Sequence, residues 1–392
     1  MLGAQSDHSV WYNIPMLPSQ RHLFDIPDNV AYLNCAYMSP LMRSAFEAGT
    51  AGLQRKAHPW ELTADQFFSG AEALRVSGAQ LFGCTPDDLA IVPSASYGVA
   101  TAVKNLPLQK GQKILVLAEQ FPSNYYPWDR VAKDSGAELL FVAWPDDGNW
   151  TAAVLRELRD GVAIAALPNV QWTSGGLLDL VRIGDACRKS GTSLALDITQ
   201  SLGAYPFDVK TVQPDFAVAA TYKWLLGPYS LGLLYVAPKW QNGRPLEENW
   251  IQRSNARDFS SLINYTDGYD AGARRFDMGE RSNFALVPAA KRAIDQILEW
   301  TVKEISATAG ALNQKLAEQV GQLGFTCLME PLRAPHYLCL RSEGRKFAGL
   351  VQALASEKVY VSVRGTSIRI TPNVYNTEED VQRLLNVLEE KT

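Results

Sequence analysis

The sequence predicts an α/β fold: a mostly parallel, seven-stranded sheet flanked by helices in a large domain, beside a smaller α/β C-terminal domain. Three observations carry this expectation. The chain has 392 residues, too many for one ordinary hydrophobic core. Between about residues 89 and 237, short apolar runs alternate with longer amphipathic ones, the β-α-β rhythm of a sheet with helices on both sides. Beyond residue 325 a second, shorter series of strands and helices follows.

The strand-like runs of the first region are Leu89–Val92, Lys113–Ala118, Glu138–Ala143, Val162–Leu167, Ser193–Asp197, Phe216–Ala220 and Leu231–Val236. They are apolar on successive residues, as strands buried on both faces are. Trp150–Arg159 and Leu178–Lys189 read as helices, the second stopped by Gly191. A long amphipathic stretch from about Ala285 to Val320 bridges into the second region. There the pattern gives a strand at Tyr337–Arg341, a helix at Lys346–Ser356, strands at Val359–Val363 and Ile368–Thr371, and a final helix. Thr377 reads as the cap of that last helix, with Asp380 three residues on and one apolar stripe of Val381, Leu384, Leu385 and Leu388. The expected division is 22–265 for the large domain, with 1–21 and 266–392 forming a discontinuous small one.

Charge and composition exclude several functional classes. The formal net charge is −4 and no Lys/Arg cluster stands out, so a nucleic-acid footprint is not expected. Five scattered cysteines without a CxxC pair, and four isolated histidines, argue against a disulfide framework or a zinc site. The apolar runs are strand-sized and the N-terminus has no signal-peptide pattern, so a cytoplasmic protein without a membrane partner is expected. No GxGxxG or GxxxxGK[ST] supports a nucleotide-binding reading.

The chemistry-bearing residues cluster in residues 194–228. Asp197 ends an apolar strand, where it is either a helix cap or a carboxylate at the ligand edge of a parallel sheet. Lys223 follows the strand Phe216–Ala220 and precedes Trp224-Leu225-Leu226-Gly227. It is either a snorkelling strand-end lysine or a desolvated amine of lowered pKa, the form that condenses with carbonyls. Upstream, Ser94-Ala95-Ser96-Tyr97-Gly98 joins a strand to a helix-like run, and its N–H groups and Ser96 hydroxyl form a candidate phosphate cradle. A lysine amine, a carboxylate for a pyridinium nitrogen and a phosphate cradle are together what pyridoxal phosphate requires.

On these motifs the chain resembles the class V aminotransferase family of fold-type I pyridoxal-phosphate enzymes, which includes cysteine desulfurases, selenocysteine lyases, kynureninases and isopenicillin-N-epimerase-like proteins. The resemblance runs from Tyr32-Leu33-Asn34-Cys35-Ala36 to Tyr375-Asn376-Thr377. Its most specific blocks are Asp197…Gln200…Lys223-Trp224…Gly227-Pro228 and Arg369…Tyr375-Asn376-Thr377. It implies that Lys223 holds the cofactor covalently and moves the substrate α-proton, that Asp197 pairs with the ring nitrogen, and that Gln200 bonds the ring hydroxyl. It also implies that Phe121 stacks on the ring, that Tyr222 and Thr221 contact the phosphate beside Ser94, Ala95 and Ser96, and that Arg369 clamps the substrate carboxylate. Arg364 matches a second family arginine, or is a surface charge. Asn34, Trp172 and Asn169 fall in substrate-side blocks, with a turn role equally open for Asn169. A homodimer with shared active sites is also implied, and Trp60, Phe67 and Phe68 are candidates for burial either there or in the core.

Two departures narrow the chemistry. The chain runs directly from Arg364 through Gly365-Thr366-Ser367-Ile368 to Arg369, without the mobile cysteine loop of the desulfurases, and Cys339 lies in a strand-like run. Where relatives reach a partner's phosphate with a Gly-Thr-Pro, this chain has Met278-Gly279-Glu280-Arg281-Ser282, leaving Arg281 or Ser282 as substitutes. The expected activity is transamination of an α-amino acid. C–S or C–Se β-elimination is the alternative, epimerisation and kynureninase-type cleavage rank below, and a non-catalytic cofactor- or amino-acid-binding module is the remote one.

Overall fold

The computed structural model describes residues 14–159, 161–342 and 347–391. The first residues of the expected small domain and the expected helix start at Lys346 lie outside them. The chain enters through β1 (Ala31–Tyr32), α1 (Arg43–Arg55) and α2 (Ser69–Phe82). There follow β2 (Leu89–Val92), α3 (Ala95–Asn105), β3 (Lys113–Leu117), α4 (Tyr126–Ser135), β4 (Glu138–Val142), α5 (Trp150–Glu157), β5 (Val162–Pro168) and α6 (Leu180–Ser190). Then come β6 (Ser193–Asp197), α7 (Val209–Val212), β7 (Phe216–Ala220) and β8 (Gly232–Val236). Strands β2 to β8 form one seven-stranded sheet in the order β2-β8-β7-β6-β5-β3-β4.

Successive residues of these strands are buried on opposite faces, which is why their sequence does not alternate. Leu115, Leu117, Leu194 and Leu196 join one apolar cluster, whereas Ile114, Val116, Ala195 and Val218 join another. Strand β8 runs antiparallel to both neighbours. The short 221–231 connection contains no helix, and a parallel return would need a crossover.

The long amphipathic stretch is two helices, α8 (Leu286–Trp300) and α9 (Val302–Val320). They break at Thr301, which has φ +63° and caps α9 by accepting from Glu304 N. The last part contains β9 (Leu338–Arg341), α10 (Ala348–Ser356), β10 (Val359–Tyr360), β11 (Ser362–Arg364), β12 (Ser367–Ile370) and α11 (Glu378–Lys391). The expected strand Val359–Val363 is divided between two sheets: β10 pairs with β1, and β11 joins the antiparallel sheet β11-β12-β9. Thr377 N donates to Asp380 Oδ2 at 3.2 Å, at the start of α11.

Apolar contacts group α8 with the large sheet. Leu312, Leu316, Leu338, Ile368, Leu384 and Leu388 form a separate core that also takes in Ala31 and Leu33. Phe68 is fully buried against Ile251 and Ala256, whereas Trp60 is 77% exposed. Among the described residues no helix is long and apolar enough to cross a membrane.

Candidate active site

The carboxyl ends of β5, β6 and β7 finish side by side at Pro168, Asp197 and Ala220, and these three residues border a cavity of about 260 Å³. This is the edge at which parallel α/β sheets place ligands. The N-terminus of α3 closes another side with Ser94, Ala95 and Ser96. Gly98 makes that approach possible: a Cβ there would stand 2.5 Å from Val218 Cγ2 of β7. Ser94 caps α3 by accepting from Tyr97 N at 3.2 Å, and its hydroxyl shares a 2.8 Å hydrogen bond with that of Ser96. The first N–H groups of α3 have no acceptor within the helix, so this end is suited to an anion.

Lys223 sits on the connection between β7 and β8, only 6% exposed. The connection is stapled from within: Leu226 N donates to Lys223 O, Gly227 N donates to Thr221 O, and the Thr221 hydroxyl lies 2.6 Å from Pro228 O and 3.0 Å from Leu231 O. Thr221 is completely buried and does not border the cavity, so its hydroxyl holds the turn and not the cofactor. Lys223 Nζ forms no hydrogen bond or ion pair among the described residues. It lies 5.4 Å from the ring centroids of both Phe121 and Tyr222. Burial pushes its pKa down to about 8; Asp197 opposes that shift, and Arg369 and Arg364 add to it.

Asp197 is buried, and its Oδ1 accepts from Thr199 N at 3.0 Å. Burial raises its pKa, against the Thr199 hydrogen bonds and the Lys223 charge. Gln200 also borders the cavity; its Nε2 donates to Ala36 O at 3.3 Å and its Oε1 accepts from Trp224 Nε1 at 3.0 Å. One N–H of the Gln200 amide therefore remains for a ligand. Phe121 meets Trp172 edge to face at 5.2 Å. Trp172 is held at both ends: Nε1 donates to Glu119 O at 2.6 Å, and its carbonyl accepts from Tyr337 Oη at 2.9 Å.

Other expected site residues lie further back. Asn169 is buried with Nδ2 on Leu178 O, and neither it nor Asn34 borders the cavity. Arg369 stands behind Trp172, with its guanidinium 5.9 Å from that ring. It donates to Ser362 Oγ at 3.0 and 2.8 Å and to Tyr337 Oη at 3.2 Å. Arg364 donates to Val363 O and faces the Tyr37 ring. Arg281 is completely buried on Asp277, and the Ser282 hydroxyl donates to Phe67 O, so neither is presented to a phosphate.

No cysteine borders the cavity. Cys35 lies beneath Lys223, and Cys339 pairs across the sheet with Arg369; burial pushes both thiols up to about 12. Residues not singled out from sequence include Gln120, Ser123, Thr199 and Tyr229 on the cavity wall, and His336 behind it. His336 Nε2 donates to Gln200 O at 2.8 Å, and its ring packs edge-on to Trp224 at 4.4 Å. Burial pushes His336 down to about 4, so the imidazole is neutral. Its sequence neighbourhood carries no signal linking it to position 200.

The donor set fits a phosphorylated pyridine aldehyde. A buried amine without a partner suits the aldehyde, a buried carboxylate the ring nitrogen, an amide N–H the ring hydroxyl, and a capped helix end with two hydroxyls the phosphate. The model of the family described as aminotransferase class-V matches residues 45–384. A kynureninase from Shouchella clausii is 26% identical over 357 residues, covering 87% of this chain and 80% of that protein. Isopenicillin N epimerase from Streptomyces clavuligerus is 25% identical over 378 residues, covering 93% of this chain and 95% of its own. A solved structure of a C-DES variant, with glycine covalently linked to its PLP cofactor, has the same fold: TM-score 0.84 and 20% identity, covering 94% of this chain and 99% of that one. With the family match spanning residues 45–384 and the wall residues suited to the cofactor, the chain belongs to the class-V aminotransferase family and is a pyridoxal-phosphate enzyme.

Proposed function

We propose that the protein is an aminotransferase that moves the amino group of an α-amino acid to a 2-oxo acid. The observation that carries this reading is a buried lysine amine on the cavity wall, Lys223 Nζ, without a hydrogen-bond or ion-pair partner among the described residues and with its pKa pushed down to about 8 by burial. Tyr222, also on the wall, is pushed up to about 12 and keeps its proton. When bound, pyridoxal phosphate supplies the electron sink that lets an α-proton leave. Lys223 Nζ takes that proton and returns it on the same side. Phe121 and Trp172 offer no second base for delivery from another direction, which favours transamination over epimerisation. Asp197 holds the ring nitrogen's positive charge in place, and Arg369 takes the substrate carboxylate through guanidinium N–H groups that Ser362 and Tyr337 leave free. Trp172 and Phe121 keep water from the reacting side. The absence of a thiol on the wall speaks against persulfide formation.

The reading includes a homodimer, supported by the exposure of Tyr229 (61%) on the cavity wall and of Trp60 on the surface. Sedimentation of the holoenzyme tests that part. The activity test is a panel of L- and D-amino acids with and without a 2-oxo acid acceptor. Transamination requires acceptor-dependent product and a cofactor amine form that persists without acceptor. Release of pyruvate and sulfide from cysteine, with no acceptor added, overturns the reading in favour of β-elimination.

A further inference from the structure

The Gln200 amide is fixed from two directions before any ligand arrives. An indole N–H can only donate, so the atom that Trp224 Nε1 meets at 3.0 Å is the amide oxygen. A backbone carbonyl can only accept, so the atom 3.3 Å from Ala36 O is the amide nitrogen. The amide cannot flip without losing both contacts. Its second N–H is left for a ligand of the cavity that Gln200 borders.

His336 lies behind both contacts. It is completely buried, and its Nε2 donates at 2.8 Å to the Gln200 carbonyl. Its ring meets Trp224 edge to face, with centroids 4.4 Å apart and planes at 81°. One side chain thus holds the Gln200 backbone directly and the Gln200 amide oxygen through the indole. The carbonyl accepts only, so the single proton of the neutral imidazole is on Nε2, and Nδ1 has no hydrogen-bond partner among the described residues. The hydrogen bonding of this ring is spent on Gln200.

The segment that carries His336 is itself anchored, which makes the ring a fixed support. Pro335 O accepts from Asn313 Nδ2 of α9 at 2.8 Å. Ala334 N donates to Gly175 O, and Tyr337 Oη to Trp172 O, each at 2.9 Å. Residues 334–337 run straight into β9 and thereby join the C-terminal part of the chain to the cavity wall. Groups held in this way by packing and by hydrogen bonds behind them keep the geometry that a bound ligand needs.

We propose that His336 is a positioning residue for the cofactor: it holds Gln200 so that the free amide N–H meets the ring hydroxyl oxygen of bound pyridoxal phosphate. This rests on the cofactor assignment and not on transamination, since the same ring serves any reaction of the enzyme. The imidazole keeps its Nε2 proton throughout and passes none on. A donor to the ring oxygen favours the deprotonated form of that oxygen.

Titration of the cofactor-free full chain with pyridoxal phosphate tests this in a double-mutant cycle. His336→Phe keeps an aromatic ring against Trp224 but removes the donor. It raises the cofactor dissociation constant about 10-fold, as Gln200→Ala does. Because one residue acts through the other, the double variant is also weaker by about 10-fold and not by about 100-fold. Both single variants raise the share of cofactor with a protonated ring oxygen, read in its absorbance spectrum. His336→Gln, which retains an N–H donor, recovers part of the affinity and of the parent spectrum. Paired with Gln200→Ala it gives the same non-additive pattern at smaller size, which keeps the test open should His336→Phe fail to fold. Parent-like affinity in His336→Phe or in Gln200→Ala overturns the proposal, as do effects that add in the double variant. Weaker binding in His336→Phe with an unchanged spectrum assigns the histidine to packing and overturns it too. The cycle reads only the cofactor, so its failure leaves transamination to be decided by the amino-acid panel.

Discussion

Two buried charge clusters in this molecule are built in opposite ways. Around Asp277, Arg75 and Arg281 both donate to the carboxylate, Ile91 N adds a third hydrogen bond at 2.7 Å, and all three side chains are fully buried. Around Lys223, a buried amine has no ion partner, and Asp197 keeps only the contacts of Thr199 on its oxygen. With three donors on its carboxylate, the Asp277 cluster is a fastener: it ties α2, β2 and the 277–281 turn together. An unsaturated one costs stability in the folded chain and is retained where a ligand completes it. Arg281 and Lys223 are both cations in apolar surroundings, and only their partners tell them apart.

The contrast can be broken by mutation. Lys223→Ala has the largest expected effect: turnover falls by about 10³-fold or more, with loss of the absorbance band of the covalently held cofactor, while the denaturation midpoint of the cofactor-free chain does not fall. Asp277→Ala does the reverse. It strands two buried guanidinium groups and lowers stability by about 3–5 kcal/mol in denaturant titration, without removing any group from the cavity wall. A cofactor-free Lys223→Ala chain that melts much earlier than the parent would put Lys223 with the fasteners instead.

The pH dependence sharpens the comparison. Lys223 has its folded-state pKa lowered to about 8 from 10.5, so the unfolded chain binds this proton more tightly than the folded one. Its contribution to stability is therefore least favourable below pH 8 and improves as pH rises towards 10.5, by about 3 kcal/mol in all. Against a Lys223→Met reference, the cofactor-free parent should be the less stable protein at pH 7 and close the gap by pH 10. A gap independent of pH would mean that the amine is not desolvated. The smallest expected effect is Trp224→Phe. It removes the donor to Gln200 Oε1 and costs about 1 kcal/mol in stability, with a modest rise in the cofactor dissociation constant read by titrating the apoprotein.

Much of the fold was legible because burial writes itself into local sequence. The doubly buried strands show continuous apolar runs, and Gly191 ends α6 in the left-handed conformation, at φ +71°. The divided segments were not legible for equally local reasons. Thr301 breaks the long helical stretch by a positive φ that few non-glycine residues adopt, and β10 and β11 separate at Val361 only because their pairing partners lie in different sheets.

For the site, the sequence by itself determined the chemistry of the groups: an amine after a strand, a carboxylate ending one, hydroxyls at a helix start. These signals are local, since a strand end or a helix cap is specified by its neighbours. Only the tertiary structure decided which groups are spent and which are free. Thr221 and Ser282 carry suitable chemistry but are consumed by partners close in space, and Arg281 is sealed in the interior against Asp277, whereas Lys223, Arg364 and part of Arg369 are left open. Hydrogen-bond saturation depends on contacts between residues such as 75 and 277, or 172 and 337. No local pattern encodes such contacts, because they exist only once the chain has closed on itself.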